Sequence, residues 1–221
     1  MIVAIDGPGG AGKSTVARAL SERLGLSYLD TGAMYRAFAL ATLDAGADPA
    51  DAATVLRLGA ARDLVLEPGP GGRLKVRLGD EDVTERIRGE GVSAAASIVA
   101  SHPSVRALLV TRQQAILASG DWVADGRDIT TRVCPSADVK VFLTADPAER
   151  ARRRHTELLA RGDAADAAEV AADLAERDRR DTTREVDPLR VATGTTEIDT
   201  TGLTIQAVVD RIAALVSRAV G

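Results

Sequence analysis

This chain has little of what several chemistries and architectures require. Its 221 residues include one cysteine, Cys134. No disulfide can form within the chain, which suits a reducing cytoplasm and makes Cys134 a buried spectator thiol. Aromatic residues make up 2% of the sequence, so the core must be aliphatic, and 45% hydrophobic residues suffice for a sizeable one. No apolar run is long enough to span a membrane and no targeting segment precedes the first apolar stretch, so no membrane partner is expected. A net charge of −4 argues against nucleic acid as an electrostatic partner. The two histidines, His102 and His155, are both expected at the surface. Lysine occurs only as Lys13, Lys75 and Lys140 among 28 basic residues. GC-rich coding is one source of such an arginine bias. Against that bias, a lysine inside a glycine-rich loop reads as chosen for its position.

What is present is an alternation of short apolar runs and amphipathic stretches. Residues 2–5 read as a buried strand, and 13–24 as a helix with Val16, Leu20 and Leu24 on one side. Residues 27–29 form a second strand. Helices are predicted over 34–44 and over 48–62, the second starting at Asp48-Pro49. Residues 64–67 and 73–78, joined by a turn at 68–72, read as a β-hairpin, with 81–83 as a third short strand. Helices follow over 91–100 and 103–119, the latter opening on Pro103. Residues 122–124, 139–143 and 196–199 are strands. Asp146, Pro147 and Glu149 make a helix start, and 166–183 is a charged helix. From Thr204, the spacing of Ile205, Val208, Val209, Ile212, Leu215, Val216 and Ala219 marks a core-facing helix. The expected fold class is α/β: a parallel sheet with helices on both faces, plus a small antiparallel β insertion. In such folds ligands bind at the carboxyl ends of the strands.

The first strand end carries Gly7-Pro8-Gly9-Gly10-Ala11-Gly12-Lys13-Ser14, followed by Thr15. Strand, glycine-rich loop and helix N-terminus together are the context of a phosphate-binding loop. The glycines let backbone N–H groups turn inward around a polyphosphate, and the helix dipole adds positive potential. Lys13 can reach the outer phosphates, and the Ser14 hydroxyl can ligate Mg²⁺. The sheet is therefore expected to be of the P-loop NTPase type. Two other strand ends carry Asp30-Thr31-Gly32-Ala33-Met34-Tyr35-Arg36 and Asp125-Gly126-Arg127-Asp128. All three clusters should lie along one edge of the sheet. Asp125 stands where a second acidic group near Mg²⁺ is expected, bound directly or through water; the alternative is a turn aspartate before Gly126. Arg36 and Arg127 either hold phosphate oxygens as planar forks or form surface ion pairs.

Arg150, Arg152, Arg153, Arg154 and Arg161 crowd one helix, and Arg177, Arg179, Arg180 and Arg184 the next. Such runs are either a solvated face or a closing lid whose arginines neutralise a phosphoryl group in flight. Neither histidine falls in a strand-end cluster. An alcohol acceptor benefits from a base, whereas a phosphate acceptor is already anionic and needs cations and alignment. The arginine-rich, histidine-poor composition fits a phosphate acceptor, with Asp30 or Asp128 left open as a base for an alcohol.

These clusters together resemble the cytidylate kinase branch of the nucleoside monophosphate kinases, nearly end to end. The most specific matches are Ile5-Asp6-Gly7-Pro8, Leu29 to Arg36, Ala124 to Asp128, and Glu176-Arg177-Asp178-Arg179-Arg180-Asp181. The hairpin insertion is similar to that family's extra sheet. The resemblance implies that Ser97, Arg106 and Asp128 read cytosine. It implies that Thr31 and Tyr35 line the monophosphate pocket, with Gly126 beside it. Arg36, Arg127 and Arg184 would hold the acceptor phosphate, and Arg177 and Asp181 the sugar hydroxyls. Thr31 stands where relatives also carry serine. Residues 155–172 are alanine-rich and match weakly.

The expectation is a single kinase domain over 1–221, with core segments 1–35, 120–147 and 185–221. Residues 36–119 form its monophosphate-binding region and 148–184 its lid. It would act as a cytoplasmic monomer, moving the γ-phosphoryl group of MgATP to CMP or dCMP. Lys13 and Asp125 serve the donor, Arg127 bridges toward the acceptor, and Arg153 and Arg154 act from the lid. The alternatives are a kinase for another small acceptor, such as UMP, shikimate or gluconate, and a non-catalytic nucleotide-dependent switch.

Overall fold

The computed structural model describes residues 1–69, 74–89 and 91–220. Five parallel strands set the frame: β1 (Ile2–Asp6), β2 (Ser27–Asp30), β6 (Trp122–Gly126), β7 (Val139–Thr144) and β8 (Thr196–Asp199). Their order across the sheet is β2-β6-β1-β7-β8. The alternation of side chains along β1 assigns its two faces. Val3 and Ile5 pack with helices α1 (Lys13–Leu24) and α8 (Ile205–Val220), while Ala4 packs with α5 (Pro103–Leu117) and the segment after β6. Parallel pairing sets Asp30 against Asp125 and Asp6 against Gly126. The carboxyl ends of β1, β2 and β6 therefore meet at one edge, as expected.

A second core lies beyond that edge. Helix α2 (Thr31–Asp44), α4 (Val92–Val99) and part of α5 close over the antiparallel sheet β3 (Leu64–Pro68), β4 (Leu74–Leu78) and β5 (Glu81–Asp82). Phe38, Ile87, Val99 and Leu109 are fully buried there. Helix α3 (Ala52–Ala60) seats Gly59 against the Phe38 ring, where a Cβ would overlap ring carbons. The expected turn at 68–72 includes residues 70–72, which lie outside the described residues.

Local chemistry shifts several boundaries. Helix α2 starts at Thr31 rather than 34, because the Asp30 carboxylate caps it by accepting from the Ala33 N–H at 3.0 Å. Helix α3 does not begin at Asp48-Pro49 or run to 62. The Asp48 carboxylate closes a turn onto the Ala50 N–H instead, and Asp51 caps the helix through the N–H groups of Ala53 and Thr54. Strand β6 runs on through Asp125 and Gly126, which read as loop in the sequence. After it, residues Ile129–Val133 make a π-helical turn that periodicity did not show. The Asp6 carboxylate fixes this turn, accepting from the N–H groups of Ile129 (2.9 Å) and Thr130 (2.7 Å) and from the Thr130 hydroxyl (2.6 Å). Helices α6 (Pro147–Ala160) and α7 (Ala167–Thr183) pack on each other, and α7 also packs on α4. No side chain of α6 is fully buried. Cys134 is buried, as expected. Both histidines are half-buried rather than on the surface, each with a ring nitrogen against a backbone carbonyl: His102 with Pro49 and His155 with Ala165.

Replacing Gly59 with alanine tests the α2–α3 seat. G59A is expected to lose about 1–3 kcal/mol in urea unfolding through overpacking against Phe38. An unchanged midpoint would contradict the contact.

Candidate active site

The loop between β1 and α1 turns through Gly7, Gly10 and Gly12, all at positive φ. Gly12 sits at the helix N-cap with φ of 90°, a conformation open to glycine at no steric cost. Lys13 is buried, and its Nζ donates to the Pro8 carbonyl at 2.7 Å. Burial and the Arg127 guanidinium hold its pKa well below the ordinary lysine value, while Asp125 opposes them. Ser14 Oγ donates to Asp125 Oδ2 at 3.0 Å. The Tyr28 hydroxyl donates to Asp125 Oδ1 at 2.8 Å, and Thr31 Oγ1 to the Asp125 carbonyl at 2.8 Å. Thr15 is exposed at the start of α1. Asp125 is buried, and burial together with neighbouring Asp30 pushes its pKa up to about 6, with Lys13 opposing.

Across the edge lies a group of arginines with fewer acids. Arg127 Nε donates to Asp181 Oδ2 at 2.8 Å. Arg177 and Arg184 each reach Asp181 at 4.0 Å. Arg36 pairs with Asp30 at 2.6 Å, yet its Nε has no hydrogen-bond partner. The Arg177 Nε is likewise buried without a hydrogen-bond partner, 4.0 Å being too long for one to Asp181. Burial and repulsion from Arg127 bring the Arg177 pKa down to about 10, so it remains a cation at neutral pH. Buried donors without acceptors and excess positive charge together make a site for an oxyanion.

Beside these arginines, Arg106 is ion-paired with Asp128 and, at 3.1 Å, with Asp187. Its guanidinium carbon stands 5.7 Å from the centroid of the Tyr35 ring. Burial pushes the Tyr35 hydroxyl up to about 12. Ser97 Oγ is buried without a partner, and Arg184 lies 3.8 Å from Asp128. Both carboxylates left open as bases are thus engaged: Asp30 by the α2 cap and Arg36, Asp128 by Arg106.

The two lid candidates diverge. Arg153 is moored to Glu149 Oε1 (2.9 Å) and to the Thr200 hydroxyl (2.9 Å) and carbonyl (2.8 Å), beside Gly12. Arg154 pairs with Glu157 at 3.0 Å and touches Ser93 at 3.4 Å, on the arginine-rich side.

With this geometry in place, comparison with known proteins is decisive. The sequence model of the family described as cytidylate kinase matches residues 3–218. The chain belongs to the cytidylate kinase family. It is a nucleoside monophosphate kinase, and phosphoryl transfer to CMP or dCMP is the family's reaction; an alcohol acceptor or a non-catalytic switch is not favoured. A cytidylate kinase of Geobacillus kaustophilus (strain HTA426) is 49% identical over 219 residues, covering 99% of this chain and 97% of that protein. A bifunctional pantoate ligase/cytidylate kinase of Synechococcus sp. (strain WH7803) is 53% identical over 212 residues, covering 96% of this chain and 43% of that protein. Among solved structures, an uncharacterized protein from Eubacterium ventriosum ATCC 27560 superposes with a TM-score of 0.51 at 12% identity, over 98% of both chains. A sugar kinase from Janibacter sp. HTCC2649 gives 0.50 at 10% identity, over 98% of this chain and 94% of that one. Both likenesses bear on the fold alone.

Sequence reasoning missed several residues that position the kinase site. Tyr28, two residues before Asp30 in a short strand, carried no signal. Arg150 donates to the Gly9 carbonyl at 3.0 Å and pairs with Asp178, tying α6 and α7 to the loop. Thr200 Oγ1 donates to the Ala11 carbonyl at 3.2 Å. Asp187 carried no signal either.

The raised pKa of Asp125 has a signed consequence. An acid with a higher pKa folded than unfolded makes stability fall as pH rises between the two values, here from 3.8 to about 6. In nucleotide- and metal-free protein, D125N is therefore expected to gain on wild type as pH rises through that window, by on the order of 2–3 kcal/mol. Urea unfolding near pH 4 and near pH 7 measures this. An equal difference at both values would contradict it.

Proposed function

We propose that residues of the three strand ends divide phosphoryl transfer from ATP to CMP or dCMP between a donor half and an acceptor half. The carrying observation is the excess of buried, partly unpartnered guanidinium groups a short reach from Lys13. The loop amides of Gly7 to Gly12, with Lys13, Ser14 and Thr15, hold the triphosphate. Arg36, Arg127 and Arg184 hold the acceptor phosphate, and Arg177 with Asp181 holds the sugar. Arg153 and Arg154 close from the lid segment 148–184, and the segment around 32–110 closes from the other side, excluding water.

The Ser14 hydroxyl and the Asp125 carboxylate fit Mg²⁺. They are adjacent hard oxygen donors, and the carboxylate is buried beside a second acid, Asp30. Among the described residues no cluster of three or more metal-ligating side chains exists, which suits an ion that keeps waters and phosphate oxygens as its other ligands. Held by Ser14 and Asp125, Mg²⁺ would neutralise charge on the phosphates of the donor. Tyr28 and Thr31 hold Asp125 in place for it.

The acceptor phosphate is already an anion, so no residue needs to remove a proton. An acceptor oxygen bonds to the γ-phosphorus as the bond to the β–γ bridging oxygen breaks, and ADP leaves. The arginines lower the repulsion between the two anions and fix their line of approach. Arg106 has five N–H groups. Two are used on Asp187, one on Asp128 and one on the Ala100 carbonyl. The remaining NH1 hydrogen suits N3 or O2 of cytosine. Asp128 Oδ1 and Ser97 Oγ suit the N4 amino group. Uracil reverses that donor and acceptor pattern and leaves these groups unpaired. The reading includes a monomer acting in the cytoplasm. Among the described residues, no helix is long and apolar enough to cross a membrane.

Coupled ADP release across CMP, dCMP, UMP, shikimate and gluconate tests the reading in wild type and in Asp128→Ala. Wild type is expected to turn over CMP and dCMP best. The variant is expected to lose the preference for CMP over UMP while keeping its KM for ATP. Inert CMP and dCMP beside another active acceptor, or an unchanged base preference in the variant, would contradict it.

A further inference from the structure

Asp187 is the non-glycine residue at positive φ among the described residues, at 49°. That conformation is costly for a residue with a side chain and persists where surrounding contacts impose it. Pro188 follows and bars the α-helical region to residue 187. The contacts made in this conformation all run to arginines. Asp187 Oδ2 accepts from Arg106 Nε at 3.2 Å and from Arg106 NH2 at 3.1 Å. Oδ1 lies 3.7 Å from Arg132 Nε, on the π-helical turn. The backbone carbonyl accepts from Arg184 Nε at 2.7 Å and from Arg184 NH2. Two residues on, the Leu189 N–H donates to the Asp181 carbonyl at 2.7 Å, which fixes this loop to the end of α7.

One residue thus grips the arginine assigned to the base and the arginine assigned to the phosphate, by different groups. Arg106 is 1% exposed at its side chain. Asp128 and the Ala100 carbonyl hold only its two terminal nitrogens, NH2 and NH1, and leave the Nε edge without a partner. The second carboxylate occupies the Nε edge, so the free NH1 hydrogen has one direction in which to point. Asp128 then keeps Oδ1 available to the base. We propose that Asp187 is a positioning residue for acceptor recognition. Its carboxylate sets the orientation of Arg106 and thereby the choice of cytosine over uracil, while its carbonyl sets Arg184. This rests on the reading of Arg106 as the base-recognising arginine.

Two substitutions isolate the carboxylate, because asparagine and glycine both accept a positive φ. In Asp187→Asn and Asp187→Gly, KM for CMP is expected to rise about tenfold, as for loss of a charged hydrogen bond. The CMP-over-UMP preference should fall by a similar factor. KM for ATP and kcat at saturating CMP should stay within about twofold, and Asp187→Glu should not restore the preference, since glutamate disfavours this backbone conformation. A structural role would lower thermal stability and move all kinetic constants together. That result, failure of both variants to fold, or an unchanged CMP-over-UMP preference in both would overturn the proposal. If wild type itself does not prefer CMP to UMP, the reading of Arg106 fails and this proposal falls with it; if wild type prefers CMP and both variants keep that preference, this proposal alone fails.

Discussion

Three guanidinium groups converge on one carboxylate. Arg127, Arg177 and Arg184 all face Asp181, which is 4% exposed. Removing that many charges from water is costly unless each finds a partner. Asp181 gives the three a common anchor, and Asp128, 3.8 Å from Arg184, adds a second acid without cancelling their charge. In the proposed reading, the acceptor's phosphate group, with its several acceptor oxygens, would meet this imbalance. The rest of the site follows from this constraint. Arg127 comes from the end of β6, while Arg177 and Arg184 come from α7 and its C-cap. Helix α7 must therefore dock on the strand ends, and the Arg150–Asp178 pair and the packing of α7 on α4 hold it there.

The donor half uses the same principle with one cation and tighter geometry. Lys13 is drawn back onto its own loop by the Pro8 carbonyl and feels the Arg127 charge. Asp125 is braced by Ser14, Tyr28 and Thr31 yet lies beside Asp30, an arrangement that favours an added cation. The free enzyme therefore carries two frustrated electrostatic centres, one needing negative charge and one needing positive. In the proposed reading, a magnesium–nucleotide donor and a monophosphate acceptor would relieve both at once.

Much of this was legible in the sequence where chemistry is local. The three strand-end clusters, the loop 7–14 among them, were placed on one edge from period and turn signals alone. The hairpin insertion was recognised from alternating residues around a glycine- and proline-rich turn. What escaped was set by contacts between distant residues. Asp6 reads as the last residue of a strand, and only its bonds to Ile129 and Thr130 show it bracing the segment after β6. Apart from the family resemblance that named them, Ser97 and Arg106 read as ordinary helix positions, because their burial is decided by contacts with other parts of the chain. Asp187 precedes a proline in an unpatterned stretch, where no periodicity could mark it. Asp48 and Asp51 are both plausible caps. The backbone chose Asp51, which satisfies two N–H groups.

The central claim is that the arginine cluster is an anion site completed by the acceptor's phosphate. Calorimetric titration of the free enzyme with CMP and with cytidine at the same ionic strength tests it most directly. The account predicts that CMP binds at least about a hundredfold more tightly than cytidine, with an affinity that falls as salt rises. Cytidine binding within a few-fold of CMP, or CMP affinity indifferent to salt, would contradict it.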